Sequence, residues 1–82
     1  MNTDLHIGNV SLDTSESNLK ELFAPIGPVL EVRLVLQRAP RQQRGFAFVT
    51  MATAQAAAAA IQALDGVILK GHFITVKEAR SN

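Results

Sequence analysis

Apolar and polar positions alternate with two different periods along this chain, and the switches between them outline the fold. In residues 4–10, DLHIGNV, Leu5 and Ile7 are apolar while His6 and Gly8 are not, the period of a strand with one buried face. Residues 15–24 change to helical spacing, with Leu19, Leu22 and Phe23 three and four apart. Ser15 is placed to cap this helix and Glu16 suits its first turn. Asn18 stands where a capping box would have Glu or Gln, so no full box is expected. Pro25, Gly27 and Pro28 end the segment. Residues 29–36, VLEVRLVL, return to the strand period, with Val32, Leu34 and Leu36 on one face and Arg33 and Val35 on the other. Residues 37–44 contain Pro40 and read as a mobile loop.

Residues 45–51, GFAFVTM, alternate again, with Phe46 and Phe48 opposite Ala47, Val49 and Met51. Thr53 is placed to cap a second helix running to about Leu64, with the stripe Ala57, Ala60, Ile61 and Leu64. Asp65 and Gly66 stop it, residues 67–71 form a turn or short irregular strand, and residues 73–79 form a last strand with Ile74 and Val76 inward. The order βαββαβ predicts an α+β fold of the ferredoxin-like kind: a four-stranded antiparallel sheet with two helices on one face. Leu5, Ile7, Val32, Leu34, Ala47, Val49, Ile74 and Val76 would line the covered face. The open face would carry His6, Gly8, Arg33, Val35, Phe46, Phe48, Phe73, Thr75 and Lys77.

At 82 residues and 48% apolar, the chain fits one globular domain with little room for a deep pocket. Cysteine is absent, which excludes disulfides, thiolate metal sites and a cysteine nucleophile, and suits an intracellular compartment. The N-terminus lacks a basic region followed by an apolar run, so no secretory leader is expected, and no stretch is long enough to span a membrane. A net charge of +1 points to no particular partner. Its distribution says more. Arg38, Arg41 and Arg44 crowd one acid-free segment, Lys70, Lys77 and Arg80 lie near the C-terminus, and Asp13, Glu16 and Glu21 gather early. Open-face aromatic rings edged with cations suit unpaired bases joined by phosphates.

The octapeptide RGFAFVTM, Arg44 to Met51, and the hexapeptide LHIGNV, Leu5 to Val10, carry a resemblance to the RNA-recognition motif (RRM) family over about residues 4–80. The octapeptide departs from the family pattern at its last place, Met51, and the hexapeptide at its second, His6, where an aromatic is usual. With so little chain outside residues 4–80, the sequence resembles the small single-domain RRM proteins of bacteria. Met51 is expected to fill the core; imidazole at position 6 makes a smaller stacking platform.

The resemblance implies roles place by place. Phe48 stacks on one base, His6 on its neighbour, and Phe46 lies against the sugars between them. Arg44 pairs with a phosphate, and Thr75, Lys77 and the chain near Ala79 and Arg80 meet base edges. Asn9 is structural. From the residues themselves, open-face Arg33 is expected to join this RNA-binding set, with Arg38 and Arg41 of the basic segment and open-face Phe73 as secondary contacts. The expected partner is single-stranded RNA, with weaker binding of single-stranded DNA. Roles in RNA processing, stability or translation control follow, in a cytoplasmic monomer (nuclear if eukaryotic).

Two readings compete. Exposed phenylalanines or the first helix could contact a protein, making this an RRM-fold protein-interaction module. Small acylphosphatases share the topology and use an arginine and an asparagine. Arg33 and Asn9 are present here, but no glycine-rich phosphate loop or nucleophile–base pair accompanies them. No catalytic residue, cofactor or metal is therefore expected, and His6 and His72 are too few for a metal site.

Overall fold

The computed structural model describes residues 2–38, 40 and 43–79, with backbone alone for Gln43 and Arg44. Its elements are β1 (Asp4–Gly8), α1 (Glu16–Phe23), β2 (Val29–Arg38), β3 (Gln43–Met51), α2 (Ala54–Leu64), β4 (Ile68–Leu69), β5 (His72–Phe73) and β6 (Thr75–Glu78). Four strands form one sheet in the order β2-β3-β1-β6, every neighbour antiparallel. Helix α1 packs over β2, and α2 over β3 and β6, which gives the ferredoxin-like arrangement.

The inward positions expected from the alternation build the core. Leu5, Ile7, Ala47, Val49, Ile74 and Val76 are buried, and Val32 and Leu34 pack against them from the edge strand. Leu19 and Phe23 of α1, Ala57, Ala60 and Leu64 of α2, and Val10 and Met51 complete it. Full burial of each large side chain among these stabilises the fold by roughly 1.5–3 kcal/mol.

Several local expectations change. Ser15 and Asn18 do form a reciprocal box: the Asn18 N–H donates to Ser15 Oγ at 3.1 Å, and the Ser15 N–H donates to Asn18 Oδ1 at 2.9 Å. An amide oxygen on a short side chain replaces the usual Glu or Gln. Strand β1 ends at Gly8, two residues short of the expected boundary, because Asn9 takes φ +56° and turns the chain. Within the 37–44 segment, Gln37 and Arg38 continue β2 opposite Arg44 and Gln43 of β3, so these four positions extend the hairpin ladder.

The expected last strand is split. Ile74 leaves the ladder to bond the turn after α2: its N–H donates to Val67 O at 3.0 Å and its carbonyl accepts from Gly66 N at 2.8 Å. Residues before it pair instead with β4, around a Lys70-Gly71 turn in which both φ values are positive (52° and 83°), as a two-residue type I′ hairpin requires. Asp65, just past α2, accepts the Val76 N–H at 2.8 Å and ties the helix end to β6.

Candidate nucleic-acid interface

Register places the open-face side chains in two rows. The first runs across all four strands as Arg33–Phe48–His6–Lys77, each directly opposite the next. The second runs Val35–Phe46–Gly8–Thr75, with Phe46 and Gly8 flanking the last β1–β3 pair, Ile7 with Ala47. Strands lie about 4.8 Å apart and alternate residues on one strand about 6.6 Å apart. Two rings therefore sit at the centre of the first row with a cation at each end. Behind them Phe46 adds a third ring.

The rings touch one another in a defined pattern. His6 and Phe46 have centroids 6.0 Å apart and planes only 16° from parallel. Phe48 meets both edge-on, at 5.4 Å from His6 and 5.9 Å from Phe46. Offset-parallel and edge-to-face pairs each contribute about 0.5–1.5 kcal/mol beyond burial. The cluster thus offsets part of the cost of leaving aromatic surface in water. It keeps Phe48 37% exposed and half-buries Phe46 and His6.

Gly8 makes room for this. A Cβ there would stand 2.5 Å from Thr75 Oγ1 and 3.6 Å from His6 Cε1, so the imidazole leans over the glycine. The Gly8 N–H also donates to Thr75 Oγ1 at 3.1 Å, which orients that hydroxyl and leaves its proton free to donate. His6 Nδ1 is buried without a partner among the described residues, an unsatisfied nitrogen that phenylalanine at this place would not carry.

The other sequence-predicted contacts divide. Lys77 is exposed at the end of the ring row. Arg33 is exposed too, and its Nε donates to Glu31 Oε2 at 2.9 Å in an open ion pair that bound phosphate can displace at little cost. Arg44 lies on β3 opposite Gln37, its backbone alone described. Arg41 and Arg80 lie outside the described residues.

The placement of two secondary contacts differs from expectation. Phe73 is not in the four-stranded sheet; it sits 64% exposed on the small β4–β5 hairpin, opposite Ile68, because Ile74 breaks the ladder. Its carbonyl accepts from Asn9 Nδ2 at 2.8 Å, which gives Asn9 the structural role expected of it. Arg38 belongs to β2 instead of a loop, and its Nη2 donates to Leu12 O at 3.0 Å.

Sequence reasoning missed a cavity of about 840 Å³ beside the rings, lined by His6, Phe46, Asn9, Asp13, Arg38 and His72 among others. Its walls come from segments far apart in sequence, which the alternation along any one of them cannot bring together. Among the described residues no cluster of His, Cys, Asp or Glu could hold a metal ion, and no helix is long and apolar enough to cross a membrane.

Comparison with known proteins points the same way. The RNA recognition motif family matches residues 5–75. Glycine-rich RNA-binding protein 3, mitochondrial, of Arabidopsis thaliana is 41% identical over 75 residues, which are 92% of this chain and 24% of that protein. RbpE of Nostoc sp., described as RNA-binding, is 38% identical over 76 residues, 93% of this chain and 77% of its own. The chain spans half or less of the plant relatives it matches. Among solved structures, the Sxl-lethal protein in a protein–RNA complex superposes with a TM-score of 0.84 at 27% identity, covering 100% of this chain and 49% of that one. With the two motifs in place on β1 and β3 of a complete βαββαβ fold, the chain belongs to the RNA recognition motif family.

Proposed function

We propose that the 82 residues act as one domain that binds a short single-stranded RNA on the open sheet face. The observation that carries this is the row Arg33–Phe48–His6–Lys77, with two rings between two cations at strand spacing. Bases stack on the rings while the flanking cations meet phosphates, which suits a strand whose bases are splayed out of a helix. Phe46 adds ring surface beside His6, Thr75 donates its hydroxyl to a base edge, and Arg44, Arg80 and Arg41 supply further charge. A platform of this width holds about two to four nucleotides.

Affinity is modest, in the micromolar range, because one of the two central rings is an imidazole. Binding weakens with salt at about −0.7 per phosphate contact. Single-stranded DNA, lacking the 2′-hydroxyl, binds more weakly. The domain works by binding, with no catalytic step, as a cytoplasmic monomer in RNA processing, stability or translation control. A helix face remains open to a protein partner.

The test is an NMR titration with a pool of short randomised RNAs, repeated for Phe46→Ala and Phe48→Ala. Shifts centred on positions 6, 46, 48 and 75–78 are expected, with each substitution weakening binding by about 1–3 kcal/mol, or roughly 5- to 150-fold. Shifts confined to α1, or affinity indifferent to both substitutions, would refute the sheet reading.

A further inference from the structure

We propose that the cavity beside the rings is a subsite for one further nucleobase, a guanine, read by Asp13 and Arg38. This rests on the RNA-binding reading and adds to it a specificity that the sheet alone lacks, since a ring platform accepts any base by its face.

Position comes first. His6 and Phe46 belong to both the platform and the cavity wall, so a base entering the cavity continues the stack at the end of the sheet away from Phe48. Asn9 and Asp13 come from the segment between β1 and α1, Arg38 from the end of β2 and His72 from β5. With a volume of about 840 Å³ and one side open to solvent, the cavity is a cleft with room for a planar base.

The walls are tied together in the free protein. The Val10 N–H donates to Gly45 O at 2.8 Å, joining the β1–α1 segment to β3. Arg38 Nη2 donates to Leu12 O at 3.0 Å, joining the same segment to β2. Asn9 Nδ2 reaches Phe73 O at 2.8 Å, joining it to the β4–β5 hairpin. Three independent bonds hold the cavity in shape, so binding there does not have to order a loose loop.

The polar groups then select the occupant. Asp13 is exposed, and its carboxylate forms no ion pair among the described residues. A carboxylate only accepts hydrogen bonds and repels phosphate, so the Asp13 wall of the cavity favours a base edge that carries donors. Arg38 spends one N–H on Leu12 and keeps the rest of its fork to donate. An acceptor pair and a donor on the walls of one cavity suit the Watson–Crick edge of guanine, where N1–H and the N2 amino group stand side by side next to O6. Adenine and cytosine set an acceptor nitrogen beside their amino group, and uracil has a single N–H between two carbonyls. Each of these would face the Asp13 carboxylate with a lone pair.

The test uses fluorescence anisotropy with pentauridylate, with pentamers carrying one guanine at each position in turn, and with inosine, which lacks the N2 amino group, in the same places. One position is expected at which guanine tightens binding about tenfold or more over uridine and inosine loses most of that gain. In Asp13→Asn, whose fold is checked by thermal melting, the guanine-to-inosine affinity ratio is expected to fall to about one. Should RNA bind with its dependence on Phe48 intact while inosine matches guanine everywhere, or Asp13→Asn leave the ratio unchanged, the subsite is overturned and the sheet reading stands. Should no ribonucleotide in the set bind, both fall.

Discussion

Gly45 immediately precedes Phe46 in the octapeptide, and replacing it with alanine tests whether the cavity wall is built as tightly as its geometry implies. An ideal Cβ at this position would stand 2.1 Å from Val10 O, 2.9 Å from Val10 C and 3.2 Å from Leu36 Cδ2. Ordinary carbon–oxygen contact is about 3.3 Å, so β3 and the β1–α1 segment would have to part by about 1 Å. The nearest atoms are backbone and cannot rotate away. That separation would stretch the 2.8 Å bond from Val10 N to Gly45 O beyond useful range. Overpacking of this kind costs about 1–3 kcal/mol and the lost bond about 1 kcal/mol, roughly 2–4 kcal/mol together. At about 4–8 °C per kcal/mol for a domain of this size, Tm should fall by about 10–30 °C.

Gly8→Ala is the control. Its Cβ would meet Thr75 Oγ1 at 2.5 Å, but a threonine side chain can turn aside and give up only its bond from the Gly8 N–H. A loss near 1 kcal/mol is expected there. Thermal melts followed by circular dichroism measure both. A Gly45→Ala melt within about 3 °C of the parent, or a Gly8→Ala loss as large as that of Gly45→Ala, would refute the reasoning.

Three further outcomes follow from the same geometry. His6→Phe should tighten RNA binding by up to about tenfold and raise Tm, since it enlarges the stacking surface and removes the unpartnered buried Nδ1; anisotropy and melting curves check this, and a weaker, less stable variant would contradict it. Arg33→Ala should leave the unfolding free energy within about 0.5–1 kcal/mol of the parent, because its pair with Glu31 is exposed, yet flatten the dependence of log affinity on log salt by about 0.7. Asp65→Ala should destabilise the fold by about 1–3 kcal/mol in urea titrations, because the Val76 N–H loses its acceptor beneath α2. RNA affinity measured on the folded fraction should not change.

The sheet, its covered face and its ring platform were legible in the chain itself, for a local reason. A period of two along β1, β2 and β3 sorts side chains to opposite faces wherever one face is buried, and that sorting needs no knowledge of the neighbours. It placed Leu5 and Ile7 inward and His6, Phe46 and Phe48 outward, as the structure has them. What only the tertiary structure decided depends on groups distant in sequence. Phe73 follows the alternation, yet Ile74 bonds to the turn at Gly66 and Val67 and takes Phe73 out of the sheet. Arg38 and Leu12, 26 positions apart, close a wall that neither residue type announces. The direction of each ring, the crowding at Gly45 and the meeting of Asn9, Asp13, Arg38 and His72 around one cavity are likewise set by packing between segments. Periodicity tells a side chain which face to take; only the folded chain determines what it meets there.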